Sequence, residues 1–471
     1  MPEISALLAP VVTRVPVLVV GAGLSGLVCA YALRKAGIDA LIVEASARPG
    51  GVIRSERRDG YLLEYGPQSF NATSVVLDLC RELRIDSQLV QAPPHTPRFV
   101  FVAGELRAVP LSPPAFIKSP LFSLATKAKV LRDVFGHTVP PASDESIAAF
   151  VRRKFSPELL EKLMGPFVSG IYAGDPEQLS TRSAFPQLYE AEKSAGSVVR
   201  GLLRSGKKRG EHRAAIPVEK PTLRTFRDGN QTLIDALAIS LGSSLRCSVA
   251  ATSIRQNSAS PSAPVFEITL SADGQQQTIL AGSVVVATPT LQAAALLHDL
   301  DQQFEATLQQ IQYAPIAVVS LGYSKASVGR SLDGFGFLVP RSSNLRILGT
   351  VWNSSLFPDR SPEGHVLLTS FVGGATDPQA IQLSKQKLAA MVHNELTPIL
   401  GISQGPSFSS VWTYPRAIPQ YNIGHAEHMS HLEQLHSMHP NVYIAGNYLR
   451  GPAIGACIEH ALAVARQVVN K

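Results

Sequence analysis

The 471-residue chain is poor in cysteine and has no long uninterrupted apolar run. Its four cysteines, Cys29, Cys80, Cys247 and Cys457, are scattered and form no C-x-x-C pair, which excludes a disulfide scaffold and a cysteine-rich zinc site. We therefore expect buried free thiols in a reducing compartment. No segment approaches the ~18 consecutive apolar residues that a membrane-spanning helix needs.

The start of the chain lacks the features of a secretory signal. Glu3 precedes the apolar residues 4–8, and no basic residue stands before them. We interpret this stretch as a short leader and expect a cytoplasmic protein.

A strong charge of one sign is also absent. Lysine plus arginine number 43 against 36 acidic residues, so the net charge is only +7. Part of the excess lies in residues 200–213, which include Lys207, Lys208 and Arg209. This run holds no aromatic side chain on which a base could stack, so we do not expect a nucleic-acid partner. A solvated loop is the simplest interpretation, and attraction to an anionic lipid surface is the alternative.

No metal-ligand pattern stands out. His425, His428, His431, His436 and His439 are close in sequence, and three of the steps between histidines are i,i+3. No acidic or cysteine ligand accompanies them in a metal-like arrangement. We expect a solvated helix face and no bound metal.

The chain does contain a dinucleotide-binding motif near its start. Four apolar residues at 17–20 predict a buried strand, and Gly21, Gly23 and Gly26 follow in G-x-G-x-x-G spacing before an apolar helical run. In that spacing the first glycine permits a tight turn, the second lets the backbone approach a pyrophosphate, and the third allows close helix packing. The free N–H groups at the helix start then face the phosphates.

The next strand, at residues 41–43, leads to an acidic residue and a second glycine signal. Glu44 is placed to accept from ribose hydroxyls, which argues against a 2′-phosphate. The continuation Arg48-Pro49-Gly50-Gly51 resembles the second half of the flavin signature in amine-oxidase-like flavoproteins. The cofactor predicted from these residues is FAD.

The nucleotide-binding pattern returns later in the chain. A strand at 283–287 is followed by Thr288-Pro289, and a strand at 441–445 is followed by a Gly446 turn and a helix at 454–469. We predict one discontinuous FAD-binding domain formed by residues 15–95, 224–290 and 436–471.

Two insertions separate its parts. Residues 110–213 read as helices broken by proline, and residues 291–435 mix a helix with strands such as 316–322 and 365–372, with 96–109 contributing. Residues 258–263 read as a polar hairpin tip. The predicted fold class is α/β (α+β), with a Rossmann-like FAD domain, a mixed substrate-binding domain and a helical insertion.

Five further segments resemble the protoporphyrinogen oxidase family. They are GPFVSGIYAGDPEQLS at 165–180, TFRDGNQTL at 225–233, GFGFLVP at 334–340, LGTVWNSSLFPDRSPEGHVLLTSFVGGA at 348–375 and AGNYLRGPAIGACIE at 445–459. The resemblance runs from about residue 15 to the C-terminus, and 348–375 is most similar to the plant-chloroplast and cyanobacterial branch. It implies an amine-oxidase-like fold whose helical domain, 110–213, is membrane-associated.

The resemblance also implies the activity. Such enzymes oxidise protoporphyrinogen IX to protoporphyrin IX, removing six electrons in three flavin cycles, with O2 as acceptor and H2O2 as by-product. The flavin supplies the reactivity, so no side chain is assigned as a general base. Coproporphyrinogen III is the alternative substrate within the family. An FAD amine oxidase, and a flavin-free relative of the Rab dissociation inhibitors, are the alternatives outside it.

Site residues follow from the matching positions. Arg98 corresponds to the arginine that pairs with a propionate, Phe335 and Leu338 to an apolar pair around a pyrrole ring, Phe371 to another wall residue, and Gly170 to a backbone position close to the substrate. Without the resemblance, Arg98 would read as a surface arginine and the apolar residues as core. The expected cofactor contacts are Gly21, Gly23, Leu24, Ser25, Gly26, Glu44, Ala45, Arg48, Gly50, Gly51, Gly66, Pro67, Val249, Gly446, Ala453 and Ile454.

The expected surroundings follow from the same resemblance. The protein is expected in the cytoplasm, peripheral to an anionic membrane surface. A ferrochelatase or a magnesium chelatase would take the product, and a homodimer is the oligomer considered.

Overall fold

The computed structural model of the protein describes residues 13–215, 222–257 and 265–470. Its strands are β1 (Thr13–Val20), β2 (Ala40–Val43), β3 (Ser55–Arg58), β4 (Tyr61–Glu64), β5 (Phe70–Ala72), β6 (Leu89–Gln91), β7 (Arg98–Val102), β8 (Glu105–Ala108), β9 (Thr222–Phe226), β10 (Leu245–Arg246), β11 (Ala250–Asn257), β12 (Val265–Ala272), β13 (Gln275–Val286), β14 (Tyr313–Ser324), β15 (Gly336–Leu338), β16 (Ile347–Trp352), β17 (His365–Gly373), β18 (Phe408–Pro419) and β19 (Val442–Ile444). Its α-helices are α1 (Leu24–Lys35), α2 (Ser74–Glu82), α3 (Pro113–Lys118), α4 (Leu124–Phe135), α5 (Ile147–Lys154), α6 (Pro157–Leu159), α7 (Gly165–Tyr172), α8 (Thr181–Ala184), α9 (Pro186–Ala195), α10 (Val198–Ala215), α11 (Gln231–Leu241), α12 (Thr290–Leu297), α13 (Gln302–Gln309), α14 (Asn353–Leu356), α15 (Lys385–Leu400), α16 (His425–Met438) and α17 (Ile454–Val469).

The first sheet is built around parallel strands. β1 lies between β2 and β13, β10 extends the sheet beyond β2, and β19 pairs with the second half of β13. Helices cover both faces, so β2 and the second half of β1 are fully buried and apolar. The strands predicted at 41–43 and 441–445 are confirmed to within a residue, whereas those predicted at 17–20 and 283–287 are the carboxyl-terminal ends of the longer strands β1 and β13.

The carboxyl ends of these parallel strands meet at one edge of the sheet. Gly21, Glu44, Ala287 and Ala445 directly follow β1, β2, β13 and β19. Ligands of open α/β sheets bind at this edge. Segments that are far apart in the sequence therefore contribute to one crevice. β12 and β11 continue the sheet as antiparallel strands, and the predicted hairpin tip at 258–263 lies outside the described residues.

The second sheet has the order β18-β14-β17-β16-β15-β7-β8. Its pairs are antiparallel except for β7 and β15, which run parallel. Alternate residues of β14, such as Ala317 and Val319, pack with Leu388 and Val392 of α15 in one apolar core. The opposite face carries the candidate substrate residues.

Helices α3 to α10 form the helical insertion, which follows β8 in the chain and precedes β9. Several of its helices begin at serine caps: the hydroxyls of Ser112, Ser123, Ser146 and Ser156 each accept a hydrogen bond from a main-chain N–H in the first turn. The predicted helical character is confirmed. The side chains of Lys207, Lys208 and Arg209 lie outside the described residues. None of the helices that the structure describes is long and apolar enough to cross a membrane.

The insertion has a buried apolar core that includes Phe150 and Val168, and it also holds a buried charge cluster and exposed apolar side chains. Lys154 Nζ is 2.7 Å from an Asp133 carboxylate oxygen and 3.4 Å from one of Glu192, and the three side chains are at most 4% exposed. Leu124 and Phe135, in contrast, are 83% and 85% exposed.

The cysteines behave as predicted. All four are free, with Cys29, Cys80 and Cys457 buried and Cys247 half-buried. Burial raises the pKa of the Cys29 thiol to about 12, so this thiol is unreactive at neutral pH.

Candidate active site

The turn between β1 and α1 forms a glycine-lined cradle. A Cβ at Gly26 would lie 1.9 Å from the Gly21 carbonyl oxygen, so only glycine permits this helix–turn packing. Gly21 itself has φ +100°, which favours glycine. A Cβ at Gly23 would meet nothing within 4 Å, and no side chain caps the start of α1. The buried first residues of α1, Leu24 and Ser25, thus present free N–H groups toward open space.

The acidic residue after β2 is tied to this cradle. Glu44 Oε2 accepts from the Ala22 N–H at 2.8 Å, and Oε1 accepts from the Ser46 hydroxyl at 2.6 Å. Oε1 also accepts from the Ser46 main-chain N–H at 2.9 Å, so Oε2 is the oxygen that keeps a lone pair for a further donor. Val249 donates its N–H to the Glu44 carbonyl at 2.9 Å, while Ala45 is exposed beside it. The predicted ribose contact stays a prediction.

The double glycine closes the cradle from the other side. Gly50 donates its N–H to the Ala22 carbonyl at 2.7 Å, and a Cβ at Gly51 would lie 3.5 Å from Gly23 Cα. The Arg48 guanidinium donates to the carbonyls of Gly51 at 2.7 Å and Pro49 at 3.0 Å. Arg48 therefore braces its own turn, and a direct cofactor contact stays a prediction.

Two more predicted segments border this region. A Cβ at Gly66 would lie 2.2 Å from the Val52 carbonyl oxygen, so the Gly66-Pro67 segment rests directly on the double-glycine turn. On the far side of the sheet edge, Gly446 accommodates the Tyr448 ring, 2.5 Å from where its Cβ would be.

The start of α17 completes the edge. Ala453 is its N-cap residue and has no side-chain cap, and the buried Ile454 belongs to the same core as α1. A long dinucleotide requires open space beside the backbone, glycines where backbones touch and helix starts with free N–H groups. This edge provides all three, with the open space at Gly23 and two uncapped helix starts. The residues present fit FAD.

Sequence reasoning missed Ala22 and Thr288 at this edge. Ala22 links the cradle to Glu44 and Gly50, as described above. The Thr288 methyl would lie 3.0 Å from a Cβ at Gly21, and its hydroxyl is buried with no partner among the described residues. The position of Thr288 directly after a valine-rich strand was the available signal, since carboxyl ends of such strands bear ligand contacts.

A row of paired residues crosses the open face of the second sheet. Leu338 of β15 is opposite Gly349 of β16, Gly349 is opposite Phe371 of β17, and Phe371 is opposite Val318 of β14. Directly paired residues share a face, so these side chains form one apolar wall. Leu338 and Phe371 are only half-buried, which distinguishes them from the core on the α15 side.

Arg98 stands at the end of this wall. It pairs with Gly336, two residues before Leu338, and so lies on the same face. Its guanidinium carbon is 5.2 Å from the Phe335 ring centroid, within cation–π range. Within the described residues no carboxylate pairs with Arg98, whose side chain is exposed. The structure thus brings Arg98, Phe335 and Leu338 together.

Gly170 lies against the wall from the side of the insertion. A Cβ at Gly170 would be 2.6 Å from Leu338 Cδ2, so a side chain there would displace Leu338. Its helix, α7, ends at Tyr172, and the next residue, Ala173, shares one apolar cluster with Leu348, Val318 and, at the edge, Phe371. All five predicted substrate residues therefore lie around one surface.

The wall and the cofactor edge are connected. The Tyr421 hydroxyl, just after β18, donates to the Asn447 carbonyl in the turn after β19. Tyr421 also accepts the Ser180 N–H at 2.8 Å through its carbonyl, which links the insertion to the same point. One tyrosine therefore joins the sheets and the insertion at the candidate site.

The histidine-rich helix is not the solvated face that we expected. His425 is buried against the Tyr421 ring at 4.3 Å between centroids, and burial lowers its pKa to about 4. His436 contacts the Val442 carbonyl at 2.7 Å, and His439 contacts Asp301 at 2.9 Å. The expectation is wrong for these three because α16 packs its histidines onto neighbouring elements. In the part of the chain that the structure describes, no group of three His, Cys, Asp or Glu side chains could hold a metal ion.

Known proteins share this architecture. A family model described as flavin containing amine oxidoreductase matches residues 24–469. The chain is 35% identical to the chloroplastic protoporphyrinogen oxidase of Oryza sativa, over 96% of this chain and 87% of that protein. It is 30% identical to the coproporphyrinogen III oxidase of Bacillus subtilis, over 95% of this chain and 96% of that protein. A crystal structure from Exiguobacterium sp. 255-15, assigned as a protoporphyrinogen oxidase, has a TM-score of 0.79 at 24% identity and covers 97% of this chain and 99% of that chain.

Fold and cofactor edge together define a flavin-dependent oxidoreductase with the amine-oxidase architecture. FAD held at this edge would supply the redox chemistry, as a two-electron acceptor for a substrate. The chain belongs to the flavin containing amine oxidoreductase family and, within it, to the family that holds the protoporphyrinogen and coproporphyrinogen III oxidases. The predicted fold class and FAD are confirmed.

Proposed function

We propose that this protein oxidises protoporphyrinogen IX to protoporphyrin IX. Six electrons and six protons leave the substrate in three two-electron rounds, and three O2 are reduced to three H2O2 by way of FAD. The observation that carries the proposal is the half-buried apolar wall with Arg98 at its end. A porphyrinogen is a wide apolar ring with carboxylate arms, so its site needs apolar walls and a cation.

Each residue of the wall has a role in this proposal. Arg98 binds a propionate, Leu338 and Phe371 contact the ring, and Phe335 orients the Arg98 guanidinium by stacking under it. Gly170 lets α7 approach Leu338 without narrowing the site further. No side chain is assigned as a general base, because the pyrrole protons can pass to water.

Coproporphyrinogen III is the second candidate substrate. The relative from Bacillus subtilis that bears this name supports it. Coproporphyrinogen has four carboxylate arms instead of two and would reward additional cations around the wall. Arg98 is the cation that we place there, which favours the two-armed substrate. An amine oxidase is less well supported, because a cationic amine gains nothing from Arg98.

Steady-state kinetics of an Arg98 variant tests the proposal. Arg98→Leu should raise KM for protoporphyrinogen IX by about tenfold or more, since a charge-assisted hydrogen bond is worth ~1.5–3 kcal/mol. Arg107→Leu is the matched control, because Arg107 is an exposed arginine on neighbouring β8 that pairs with Glu105 at 2.7 Å. Equal KM values in both variants, or turnover of coproporphyrinogen III alone, would contradict the proposed substrate.

We also propose peripheral membrane attachment in the cytoplasm through the insertion. The exposed Leu124, Phe135 and Val139 support it, as does the net charge of +7, which favours anionic lipid. Flotation with anionic liposomes at low salt should carry the protein upward, and a protein that stays at the bottom would contradict the attachment.

The remaining proposed partners concern the product and the oligomer. A ferrochelatase or magnesium chelatase would take the porphyrin directly, and the chain would form a homodimer. Sedimentation of the purified protein, alone and with each chelatase, should give the mass of a dimer and of a complex. A monomer in the first case, or unchanged sedimentation in the second, would remove the respective partner.

A further inference from the structure

A buried carboxylate lies next to the double-glycine turn but outside the residues that the motif predicts. Glu64, the last residue of β4, is 4% exposed. Its Oε2 accepts from the Ser55 hydroxyl at 2.7 Å, and its Oε1 accepts from the Asn230 N–H at 2.8 Å. The Ser55 oxygen in turn accepts from the Gln231 N–H at 3.0 Å. Glu64 and Ser55 therefore satisfy two N–H groups at the start of α11, where Asn230 makes no cap of its own.

The same residues hold the Gly66-Pro67 segment. The Asn230 side-chain amide donates to the Pro67 carbonyl at 2.7 Å, so Asn230 is fixed by Glu64 through its main chain and fixes Pro67 through its side chain. Gln68 donates to the Glu64 carbonyl at 2.9 Å. This arrangement is a relay from the Glu64 carboxylate to the segment that rests on Val52.

Close packing leaves this relay little freedom. A Cβ at Gly229 would lie 2.4 Å from the Ser55 hydroxyl and 3.1 Å from Glu64 Oε1. A Cβ at Gly50 would lie 2.9 Å from Ile234 of α11. Helix α11 therefore touches the double-glycine turn directly, and a shift of its first turn would be transmitted to that turn.

The negative charge of Glu64 is partly balanced by Arg360, a buried residue that precedes β17 in the chain. Arg360 donates to the Thr225 hydroxyl at 3.1 Å and the Phe226 carbonyl at 2.9 Å. Burial raises the pKa of Glu64 to about 7, while hydrogen bonds from Ser55 and Asn230 and the charge of Arg360 oppose that rise.

We propose that Glu64 is a positioning residue for FAD. Glu64 fixes the start of α11 and, through Asn230, holds Gly66 and Pro67 in place against the cofactor. The inference rests on the flavin and not on the porphyrinogen, so failure of the proposed substrate would leave it untouched. Glu64 thus acts on the cofactor through its neighbours Ser55 and Asn230.

Titration of apoprotein with FAD, followed by flavin fluorescence and visible circular dichroism, tests the relay. Glu64→Ala and Asn230→Ala should each raise the Kd for FAD about tenfold or more and weaken the visible dichroism of bound flavin. Glu64→Gln should stay within about twofold of wild type, because an amide can accept from Asn230 and donate to Ser55. Glu395→Gln on α15, a half-buried carboxylate that accepts from the main-chain N–H groups of Arg346 at 3.0 Å and Ile347 at 3.1 Å, is the control and should also stay within about twofold.

Three outcomes would overturn the proposal. They are wild-type affinity in Glu64→Ala, wild-type affinity in Asn230→Ala, and failure of Glu64→Gln to restore binding. If Glu64→Ala does not fold, Asn230→Ala and Glu64→Gln decide, because both keep the Asn230 N–H bond to residue 64. The melting temperature of each apoprotein separates lost stability from lost positioning.

Discussion

The cofactor edge and the helical insertion both bury an apolar core, but they differ in where their charged side chains lie and in how many apolar side chains they expose. In the first sheet, valine and isoleucine side chains are buried and Glu44 lies at the edge, half-exposed. In the insertion, Lys154 and Glu192 are buried while Phe135 faces outward. The first pattern is expected where water surrounds the covered sheet and a polar ligand binds at its edge. The second includes the exposed apolar surface that we propose contacts a membrane.

The largest effect should come from the cradle glycine that permits no side chain. Gly26→Ala forces the new Cβ to within 1.9 Å of the Gly21 carbonyl oxygen, so helix and turn must separate. We expect the Kd for FAD to rise more than about a hundredfold and the apoprotein to melt at a lower temperature. Gly23→Ala is the control: its Cβ meets open space in the chain, so the apoprotein should melt like wild type while FAD binding weakens. Wild-type FAD affinity in Gly26→Ala would contradict the cradle.

Removing a buried charge should affect the insertion alone. Lys154→Met leaves the buried Asp133 carboxylate without its cation, while Glu192 keeps Arg153 at 2.8 Å, and breaking such a buried pair typically costs ~3–5 kcal/mol. Hydrogen exchange should accelerate in α4, α5 and α9 and stay unchanged in the first sheet. Lys162→Met removes a partly exposed i,i+4 pair with Glu158 and should cost less than ~1 kcal/mol. Similar exchange in both variants would show that the buried pair is not what holds these helices.

Acid should loosen the point where the regions meet. The pKa of His425 is lowered by burial to about 4, so the unfolded chain binds its proton first as pH falls below the ordinary value of 6.5. Stability from neutral His425 is present above pH 6.5 and is lost as pH falls toward 4, in total about 3 kcal/mol. Melting temperature against pH measures this. His425→Phe should reduce the slope in that window and the exposed His431→Phe should not, the remaining slope coming from the half-buried His460, whose pKa burial also lowers to about 4. A wild-type slope in His425→Phe would exclude His425 as a cause.

The smallest effect on stability should come from the exposed apolar residues. Leu124→Glu and Phe135→Glu should change the free energy of unfolding by no more than ~0.5 kcal/mol, because both side chains are exposed. Flotation with anionic liposomes should nevertheless fall sharply. Ile239→Glu is the control from the first region, where Ile239 on α11 is 80% exposed. Equal losses of flotation in all three variants would remove the distinction between the two regions.

The sequence predicted best what is local. The glycines of the cradle and the bounds of α17 followed from a short motif and a helical apolar run, and the structure has α17 at the same residues. The resemblance contributed the substrate residues, which come from strands that the sequence could not order. The pairing of Arg98 with Gly336 is visible only in the folded sheet, because parallel strands far apart in the sequence carry no local signal that they are neighbours.

What the sequence did not reveal depends on long-range burial. Glu64 reads as an ordinary acidic residue at a strand end, and only folding brings Asn230 to its carboxylate. Lys154 and Glu192 read as surface charges, since nothing nearby in sequence marks them as partners. His425 was misinterpreted for the same reason: its burial comes from Tyr421, which belongs to the loop after β18 and not to its own helix.

The central claim is that the apolar wall presents a porphyrinogen to FAD. Anaerobic mixing of the FAD-loaded protein with protoporphyrinogen IX, and separately with coproporphyrinogen III, tests it most directly. We expect rapid bleaching of flavin absorbance with protoporphyrinogen IX, slower bleaching with coproporphyrinogen III, and porphyrin fluorescence with peroxide once air is admitted. Flavin that stays oxidised with both would contradict the account and leave an FAD oxidoreductase of another substrate.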